Sequence, residues 1–177
     1  FPDGTGRLES AKPEMVIRVE EAPTEGVKYE GAPTSNRVFV VHGQNVRAKV
    51  DVVSFLSTLG LHAIVLHEQP NMGRHLLTKF IDEAELATFA VVLLTDDDEG
   101  GRKGAPRSPR ARQNVILELG YFLSHLGQAK VCALKTAGLE TPSDFDGIAY
   151  IEIDAAGNWK EELRRELVAA RMPLKSN

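Results

Sequence analysis

The sequence predicts an α/β fold, with a five-stranded parallel sheet of strand order 2-1-3-4-5 and helices on both faces. Five short apolar runs recur from Arg37 onward, and longer stretches with helical periodicity separate them. The runs are apolar throughout instead of alternating with polar residues, which is typical of strands buried on both faces of a parallel sheet. This alternation of strand and helix favours a doubly wound sheet.

Each predicted strand is rich in β-branched residues and is bounded by polar residues or glycine. The last predicted helix follows Asn158, a candidate N-cap, and Glu161 stands three residues later, which is the spacing of a capping box. The strands are predicted at 37–43, 62–68, 89–95, 130–135 and 149–154, and the helices at 46–59, 74–87, 111–126 and 159–171.

The first 36 residues have a different composition. Pro, Gly, Glu and Thr are frequent there, and one short strand-like piece, MVIRV, lies at 15–19. We expect residues 1–36 to be a linker or the tail of an upstream region, 37–172 to be the compact domain and 173–177 to be a C-terminal tail. Since the chain begins at Phe1, we also expect it to be part of a longer protein.

Composition limits the classes of ligand that the protein is expected to bind and the cellular compartment in which it is expected to lie. The chain of 177 residues carries a net charge of −4 with a pI near 5.8, whereas nucleic-acid binding favours an excess of basic residues. The longest apolar run, 89–94, is far shorter than the roughly 20 residues that span a bilayer. The single Cys132 cannot form a disulfide within the chain. We expect a cytoplasmic protein that binds neither nucleic acid nor membrane.

The predicted strand order places a ligand crevice beyond the carboxyl ends of the first and third strands. The loops at 42–45 and 95–99 enter this crevice, and the segment 67–69 lies close by. Gly43 allows close approach of the backbone, and the helix that follows begins with free N–H groups that suit an anion. The same junction is also typical of a plain turn, because the chain has neither a Walker lysine nor a G-x-G-x-x-G series.

Two charged segments allow alternative interpretations. The acidic run DDDE at 96–99 is either a site for a hard metal ion or a solvated turn, and we expect the turn. The following segment, 102–112, has five basic residues and two prolines, so it is either a mobile surface loop or a flap whose arginines contact phosphates. The five histidines lack the spacing of zinc ligands, and we expect no metal site.

A carboxylate stands out in the third predicted helix, ARQNVILELGYFLSHLG. At about 100° per residue, Glu118 falls at the edge of the apolar face, between Asn114 and Phe122. This position fits either a boundary carboxylate whose end reaches water or a carboxylate that faces a ligand. The apolar face itself consists of Val115, Leu119, Phe122, Leu123 and Leu126.

Several blocks, taken in order, resemble one protein family. They are RVFVVHG, LGLHAIVLHEQPNMGRHLLTKF, FAVVLLTDDDEG, RARQNVILELGYFLSHLG, KVCAL and PSDFDGIAYIEID, and they lie between residues 37 and 171. This sequence is similar to the bacterial TIR-like family described as predicted nucleotide-binding proteins, which includes the TIR domains of anti-phage effectors in CBASS, fused to STING, and in Pycsar. One departure is the loop HGQN, where many relatives carry a charged residue.

The resemblance implies a flavodoxin-like TIR fold and an NAD⁺ glycohydrolase that uses NAD⁺ as its substrate and needs no cofactor. The family's catalytic glutamate corresponds to Glu118. A carboxylate near the ribose can stabilise the oxocarbenium-like state that forms as nicotinamide leaves. Together with the crevice interpretation, this makes a set of residues near the crevice candidates for contact with substrate: Gly43, Gln44, Asn45, Glu68, Asp96, Arg110, Arg112 and Asn114.

The resemblance also implies assembly. The segment HEQPNMG corresponds to the BB loop, which in TIR assemblies reaches a neighbouring protomer and completes its active site; its candidate contact residues are Gln69, Pro70, Asn71 and Gly73. We therefore expect self-association, and an upstream region that senses a cyclic nucleotide signal in anti-phage defence.

Two alternatives to the NADase remain open. The first is a TIR module that assembles and signals without catalysis, for which the outward position of Leu117 offers a packing surface. The second is an enzyme similar to nucleoside deoxyribosyltransferases, which also place a carboxylate at the crevice of a similar sheet.

Overall fold

A computed structural model describes residues 35–68, 75–141 and 147–175, without the side chain of His67. Five strands form the main sheet: β1 (Arg37–Val41), β2 (His62–Ile64), β3 (Phe89–Leu94), β6 (Val131–Lys135) and β7 (Ala149–Glu152). Four α-helices connect or follow them: α1 (Val46–Thr58), α2 (Leu76–Ala84), α3 (Gln113–Leu126) and α4 (Trp159–Ala169). A two-stranded sheet of β4 (Asp98–Gly100) and β5 (Ser108–Arg110) lies between β3 and α3 along the chain.

All neighbours in the main sheet are parallel, in the order β2-β1-β3-β6-β7. Once the short β4 and β5 are set aside, this is the predicted order 2-1-3-4-5, so the predicted fold class is confirmed. Residues 89 to 94 of the central strand β3 are buried without interruption. This explains why the strand is apolar at every position instead of at every second one.

The two faces of the sheet bury separate apolar layers. Along β3, Ala90, Val92 and Leu94 contribute to the layer under α2 and α3. Phe89 and Leu93 contribute to the layer under α1 and α4. Successive side chains of a strand point to opposite faces, so one uninterrupted apolar run supplies both layers.

An aromatic cluster positions α3 on the sheet. The ring of Phe122 packs against Phe39 of β1, with centroids 4.9 Å apart, and against Phe80 of α2, with centroids 5.8 Å apart. Phe122 is fully buried, as is Leu119. Because residues four apart share a helix face, this anchoring fixes the direction in which Glu118, one turn earlier, projects.

The second predicted strand is too long, and this prediction is corrected by the structure. β2 ends at Ile64, and residues Leu66–Glu68 form a 3-10 turn. The backbone N–H of Glu68 donates to the carbonyl of Val65 at 3.0 Å, so the chain turns away from the sheet edge. Val65 and Leu66 are buried in the apolar layers of opposite faces, as consecutive strand residues would be. The apolar sequence therefore looks like a longer strand, although the strand has ended.

The predicted capping box of α4 is also wrong. The helix begins at Trp159, but Asn158 is itself helical and its side chain makes no cap hydrogen bond. The carboxylate of Asp154 instead accepts from the backbone N–H groups of Asn158 at 3.1 Å and Trp159 at 3.2 Å. The first orphan donors of the helix are thus satisfied from five residues upstream.

The acidic run, expected to be a solvated turn, and the basic segment, open between a surface loop and a flap, together form a hairpin. Asp98 pairs with Arg110, and Gly100 pairs with Ser108, in antiparallel register. The ion pair of Arg112 with Asp98, at 3.9 Å, lies at the open end of this hairpin.

Residues that flank 37–172 on both sides hydrogen-bond to the packed region. The carbonyls of Ser35 and Asn36 accept from Thr88 Oγ1 and the backbone N–H of His62, respectively. At the other end the backbone N–H of Lys175 donates to the carbonyl of Leu59 at 2.8 Å. The strand-like piece at 15–19 lies outside the described residues. None of the described helices is long and apolar enough to cross a membrane.

Candidate active site

A carboxylate holds the loop that follows β1. One oxygen of Asp97 accepts from the backbone N–H of Gln44 at 3.1 Å and from the hydroxyl of Thr95 at 2.7 Å. A side chain at Gly43 would collide with this carboxylate, so close packing explains the glycine at this position. In the sequence, nothing in the acidic run itself distinguishes Asp97 from its neighbours. The threonine two residues earlier is the only local signal that one member of the acidic run turns inward.

Asn45 caps a helix. Its side-chain oxygen accepts from the backbone N–H of Ala48 at 3.0 Å, which satisfies one orphan donor at the start of α1. Asn45 also faces a different opening, a polar cavity of about 490 Å³ between the start of α1 and the loop before α4. This residue therefore shapes the loop, while its side chain lies away from Glu118.

Arg112 and Gln44 contact each other across the site. With its amide oxygen turned toward Arg112, Gln44 accepts from both terminal guanidinium nitrogens, at 3.1 and 3.2 Å. Arg112 immediately precedes α3, and its Nε lies 3.9 Å from a carboxylate oxygen of Asp98. A guanidinium held by two partners is oriented before any ligand arrives, which lowers the entropy lost on binding an anion.

These elements enclose a cavity of about 340 Å³ beyond the carboxyl end of β1. Apolar side chains form part of its wall, and polar groups from the β1–α1 loop and from α3 form the rest. Its lining consists of His42, Gly43, Gln44, Leu66, Leu76, Arg112, Asn114, Val115 and Glu118.

Glu118 has an unusual electrostatic environment. Burial raises the pKa of its carboxyl group from 4.5 to about 7, and no hydrogen bond or neighbouring cation among the described residues offsets this desolvation. The side chain is half-buried and lines the cavity, so it is accessible to a small ligand. A desolvated carboxylate without a partner is poised to bind a cationic group, because that contact would recover the energy lost on burial.

The structure brings together five of the predicted site residues and separates the others. Glu68 forms an ion pair with Lys49 at 2.7 Å, Asp96 is exposed, and Arg110 lies in the hairpin, where it faces different cavities. None of these three side chains lines the cavity of Glu118. The predicted BB-loop residues Gln69, Pro70, Asn71 and Gly73 lie outside the described residues. The predicted residues that meet in the cavity are Gly43, Gln44, Arg112, Asn114 and Glu118.

In the sequence, His42 is only the first residue of a loop that enters the predicted crevice. In the structure it lines the cavity, and its Nδ1 lies 2.8 Å from the carbonyl oxygen of Gly43. The apolar lining residues Leu66 and Leu76 give no functional signal in the sequence, because they read as ordinary core positions. Within residues 35–68, 75–141 and 147–175, no group of three or more His, Cys, Asp or Glu side chains is arranged to hold a metal ion.

The order and spacing of these elements match a known family. Residues 37–155 match the family described as CAP12/Pycsar effector protein, TIR domain. The chain belongs to this family. The matched range contains the β1–α1 loop and all of α3, so every residue that lines the cavity of this TIR domain lies within it. The resemblance stated from the sequence blocks is thereby confirmed, and the chain is a TIR domain of a defence-related effector family.

Similar proteins occur in bacteria and in an amoeba. The TIR domain is 42% identical to the uncharacterized protein YuaY of Escherichia coli K12 over 142 residues, which cover 80% of this chain and 48% of YuaY. It is 30% identical to the protein tirC of Dictyostelium discoideum over 139 residues, which cover 72% of this chain and 66% of tirC. It is 28% identical to the Pycsar effector protein BcPycTIR of Burkholderia cepacia over 122 residues, 65% of this chain and 39% of that protein. The chain thus spans about half the length of YuaY.

Proposed function

We propose that this TIR domain is an NAD⁺ glycohydrolase in which Glu118 is the catalytic carboxylate. In this reaction the bond between C1′ and the nicotinamide nitrogen breaks, and its electron pair neutralises the pyridinium ring. Water then adds to C1′ with loss of a proton, giving nicotinamide and ADP-ribose; attack by a group of the same molecule would give a cyclic product. The observation that carries the proposal is a desolvated, unpaired carboxylate in a cavity at the carboxyl edge of the sheet.

The chemistry suits a single carboxylate. The leaving ring is already cationic, so it departs as a neutral molecule without protonation, and positive charge moves to the ribose as the bond breaks. A carboxylate near C1′ stabilises that charge most in the transition state, when it is fully on the sugar. Two opposite charges 4 Å apart attract by about 1 kcal/mol in water but by about 4 kcal/mol in the lower effective dielectric of a protein site. The burial of Glu118 therefore serves the reaction.

The remaining lining residues suit the rest of the nicotinamide nucleotide half, which includes one phosphate of the diphosphate. Arg112, oriented by Gln44, would contact the diphosphate, and Gly43 would let the substrate approach the backbone. The cavity volume of about 340 Å³ lies at the low end of small-molecule sites, which run from roughly 300 to 1,000 Å³. This size fits one half of a dinucleotide, and the adenosine half would extend beyond the cavity.

The biological role that we infer is that of an anti-phage effector in the cytoplasm, active when TIR domains assemble downstream of a cyclic nucleotide signal. Membership of the CAP12/Pycsar effector family supports the defence role. The relative BcPycTIR is named as a Pycsar effector protein, and it is longer than the part that matches this chain. A sensor region upstream of this TIR domain would supply the signal.

Release of nicotinamide from NAD⁺ by concentrated protein, measured by liquid chromatography, tests the activity. We expect turnover by the wild-type protein and by Glu152→Gln, which removes an exposed carboxylate at the end of β7. We expect none by Glu118→Gln. Wild-type turnover by a folded Glu118→Gln protein would refute the assignment of Glu118. Inactivity of an assembled wild-type protein toward NAD⁺, with cleavage of deoxyribonucleosides instead, would favour a deoxyribosyltransferase-like enzyme.

A further inference from the structure

Arg110 is a cation of the hairpin with a buried, unpaired donor. Its Nε is fully buried and has no hydrogen-bond partner, and its guanidinium forms no ion pair with any described residue. The group packs so closely over Gly100 that a side chain at that position would collide with it. A buried donor that lacks an acceptor is unfavourable unless a ligand supplies one. The arrangement therefore points to an anion that binds there.

Two cavities meet at Arg110. The first has a volume of about 420 Å³ and is formed by the hairpin and its loop. The second has a volume of about 290 Å³ and lies between the hairpin, Ile116 of α3 and the segment after β6, where Glu140 and Thr141 are located. Arg102 lines both cavities together with Arg110.

The first cavity is strongly basic. Four cations line it against the single carboxylate of Glu99, although the whole chain has a net charge of −4. Gly101 also lines it, and a side chain there would approach the carbonyl of Pro106 to 2.7 Å, so the loop backbone is tightly turned. Clustered basic side chains around a glycine-rich turn are the features by which proteins bind phosphate groups. The four cations are Arg102, Lys103, Arg107 and Arg110.

The second cavity has a different character. Ile116 offers an apolar surface, while Glu140 and Thr141 offer oxygen atoms that can hydrogen-bond to sugar hydroxyls or a base. Its position is fixed, because Arg110 forms a parallel bridge with Glu140, whose backbone N–H donates to the carbonyl of Pro109 at 3.3 Å. A phosphate-binding cavity that adjoins a partly apolar one matches the two halves of a nucleotide.

We propose that these two cavities form a second ligand site, which binds a nucleoside diphosphate with its phosphates at Arg110 and its nucleoside beside Ile116. The site is separate from the cavity of Glu118, since no residue lines both. Ile116 projects from a different side of α3 than Asn114 and Glu118, each two residues away along the helix. The inference does not depend on NADase activity.

Isothermal titration with ADP, inorganic pyrophosphate and adenosine tests the site without any turnover. We expect ADP to bind, pyrophosphate to bind more weakly and adenosine to bind weakest. The double variant Arg107→Gln/Arg110→Gln is expected to bind ADP and pyrophosphate about tenfold more weakly or worse, since it lacks two charge-assisted contacts. Arg165→Gln, on the exposed face of α4, is expected to leave both affinities unchanged.

Other outcomes would overturn the proposal. Absence of binding by ADP and pyrophosphate at millimolar concentration would exclude the site. Loss of binding in Arg112→Gln would assign the phosphates to the cavity of Glu118, and an equal loss in Arg165→Gln would indicate only nonspecific attraction. If pyrophosphate bound as tightly as ADP, the proposed contact of the nucleoside beside Ile116 would be refuted. If circular dichroism shows that the double variant is unfolded, the single variant Arg107→Gln is titrated instead, because its side chain is exposed. We expect its affinities for ADP and pyrophosphate to be about threefold weaker than those of the wild type.

Discussion

The substitution Glu118→Gln is expected to make the domain more stable at neutral and alkaline pH while it abolishes turnover. The pKa of this carboxyl rises from 4.5 to about 7 on folding because burial disfavours its charged form. A raised carboxyl pKa means that the folded state holds the proton more tightly than the unfolded state. The corresponding stability is fully present below pH 4.5 and is lost as the pH rises through about 7.

The magnitude follows from the same shift. A rise from 4.5 to about 7 corresponds to a loss of about 3 kcal/mol in the free energy of unfolding between pH 4.5 and pH 8. Since the side chain is only half-buried, water in the cavity reduces this value, and about 2 kcal/mol is a reasonable lower figure. Glutamine has nearly the same shape and cannot ionise, so the variant does not suffer this loss. At pH 8 its melting temperature should exceed that of the wild type by roughly 5–10 °C.

Urea unfolding of wild type, Glu118→Gln and the control Glu152→Gln at pH 5, 6, 7 and 8 measures this effect. The difference between Glu118→Gln and wild type should stay below about 1 kcal/mol at pH 5 and grow to about 2–3 kcal/mol at pH 8, because the titration of all other groups cancels in the difference. Glu152→Gln should follow the wild type at every pH. A difference that is flat across this range, or a variant less stable than wild type at pH 8, would refute the electrostatic interpretation of Glu118.

Three further predictions concern activity, and one concerns stability. In the proposed reaction ionised Glu118 is the active form, so kcat/KM should fall about tenfold per pH unit below pH 7 and level off above it; a flat profile from pH 5 to 8 would contradict this. Arg112→Glu should raise KM more than it lowers kcat, whereas Arg110→Glu should leave KM for NAD⁺ unchanged; equal effects in steady-state assays would place both arginines at the substrate. Gly43→Ala should destabilise the loop by about 1–3 kcal/mol, measured by urea unfolding, since the new methyl group collides with the carboxylate packed against it. Specific activity should climb with protein concentration, and Pro70→Gly protein mixed with Glu118→Gln protein should recover activity; flat specific activity over a hundredfold range would show a complete site in each protomer.

The sequence predicts most of the fold because the burial pattern is strong and local. The uninterrupted apolar run from Phe89 to Leu94 and the spacing of Val115, Leu119 and Phe122 identify the central strand and the face of α3 that packs on it. The hairpin of β4 and β5 cannot be predicted in this way. Its strands have three residues each, they contain glycine, proline and charged residues, and they have no periodicity to detect.

The site is predictable to a similar extent, and for similar reasons. Glu118 can be identified in the sequence because a carboxylate at the edge of an apolar helix face interrupts the helical pattern of apolar residues. Arg110 and Arg112 look equivalent in the sequence, yet one belongs to a strand of the hairpin and the other immediately precedes α3, so they face different cavities. Asp97 is one of several adjacent carboxylates, and only the tertiary fold decides which of them contacts Gln44.

The cost of burying Glu118 is itself an argument for a role in ligand binding. Arg112 lines the same cavity, yet its guanidinium contacts Gln44 and Asp98 and does not offset the desolvation of Glu118. A carboxylate kept for stability alone would gain from a nearby cation or from replacement by an uncharged side chain. The cation that would offset the desolvation is therefore expected to arrive with the substrate. Binding of the pyridinium should lower the pKa of Glu118 and move the pH dependence of kcat below that of kcat/KM, and the distance between the two profiles measures how closely the positive ring approaches the carboxylate.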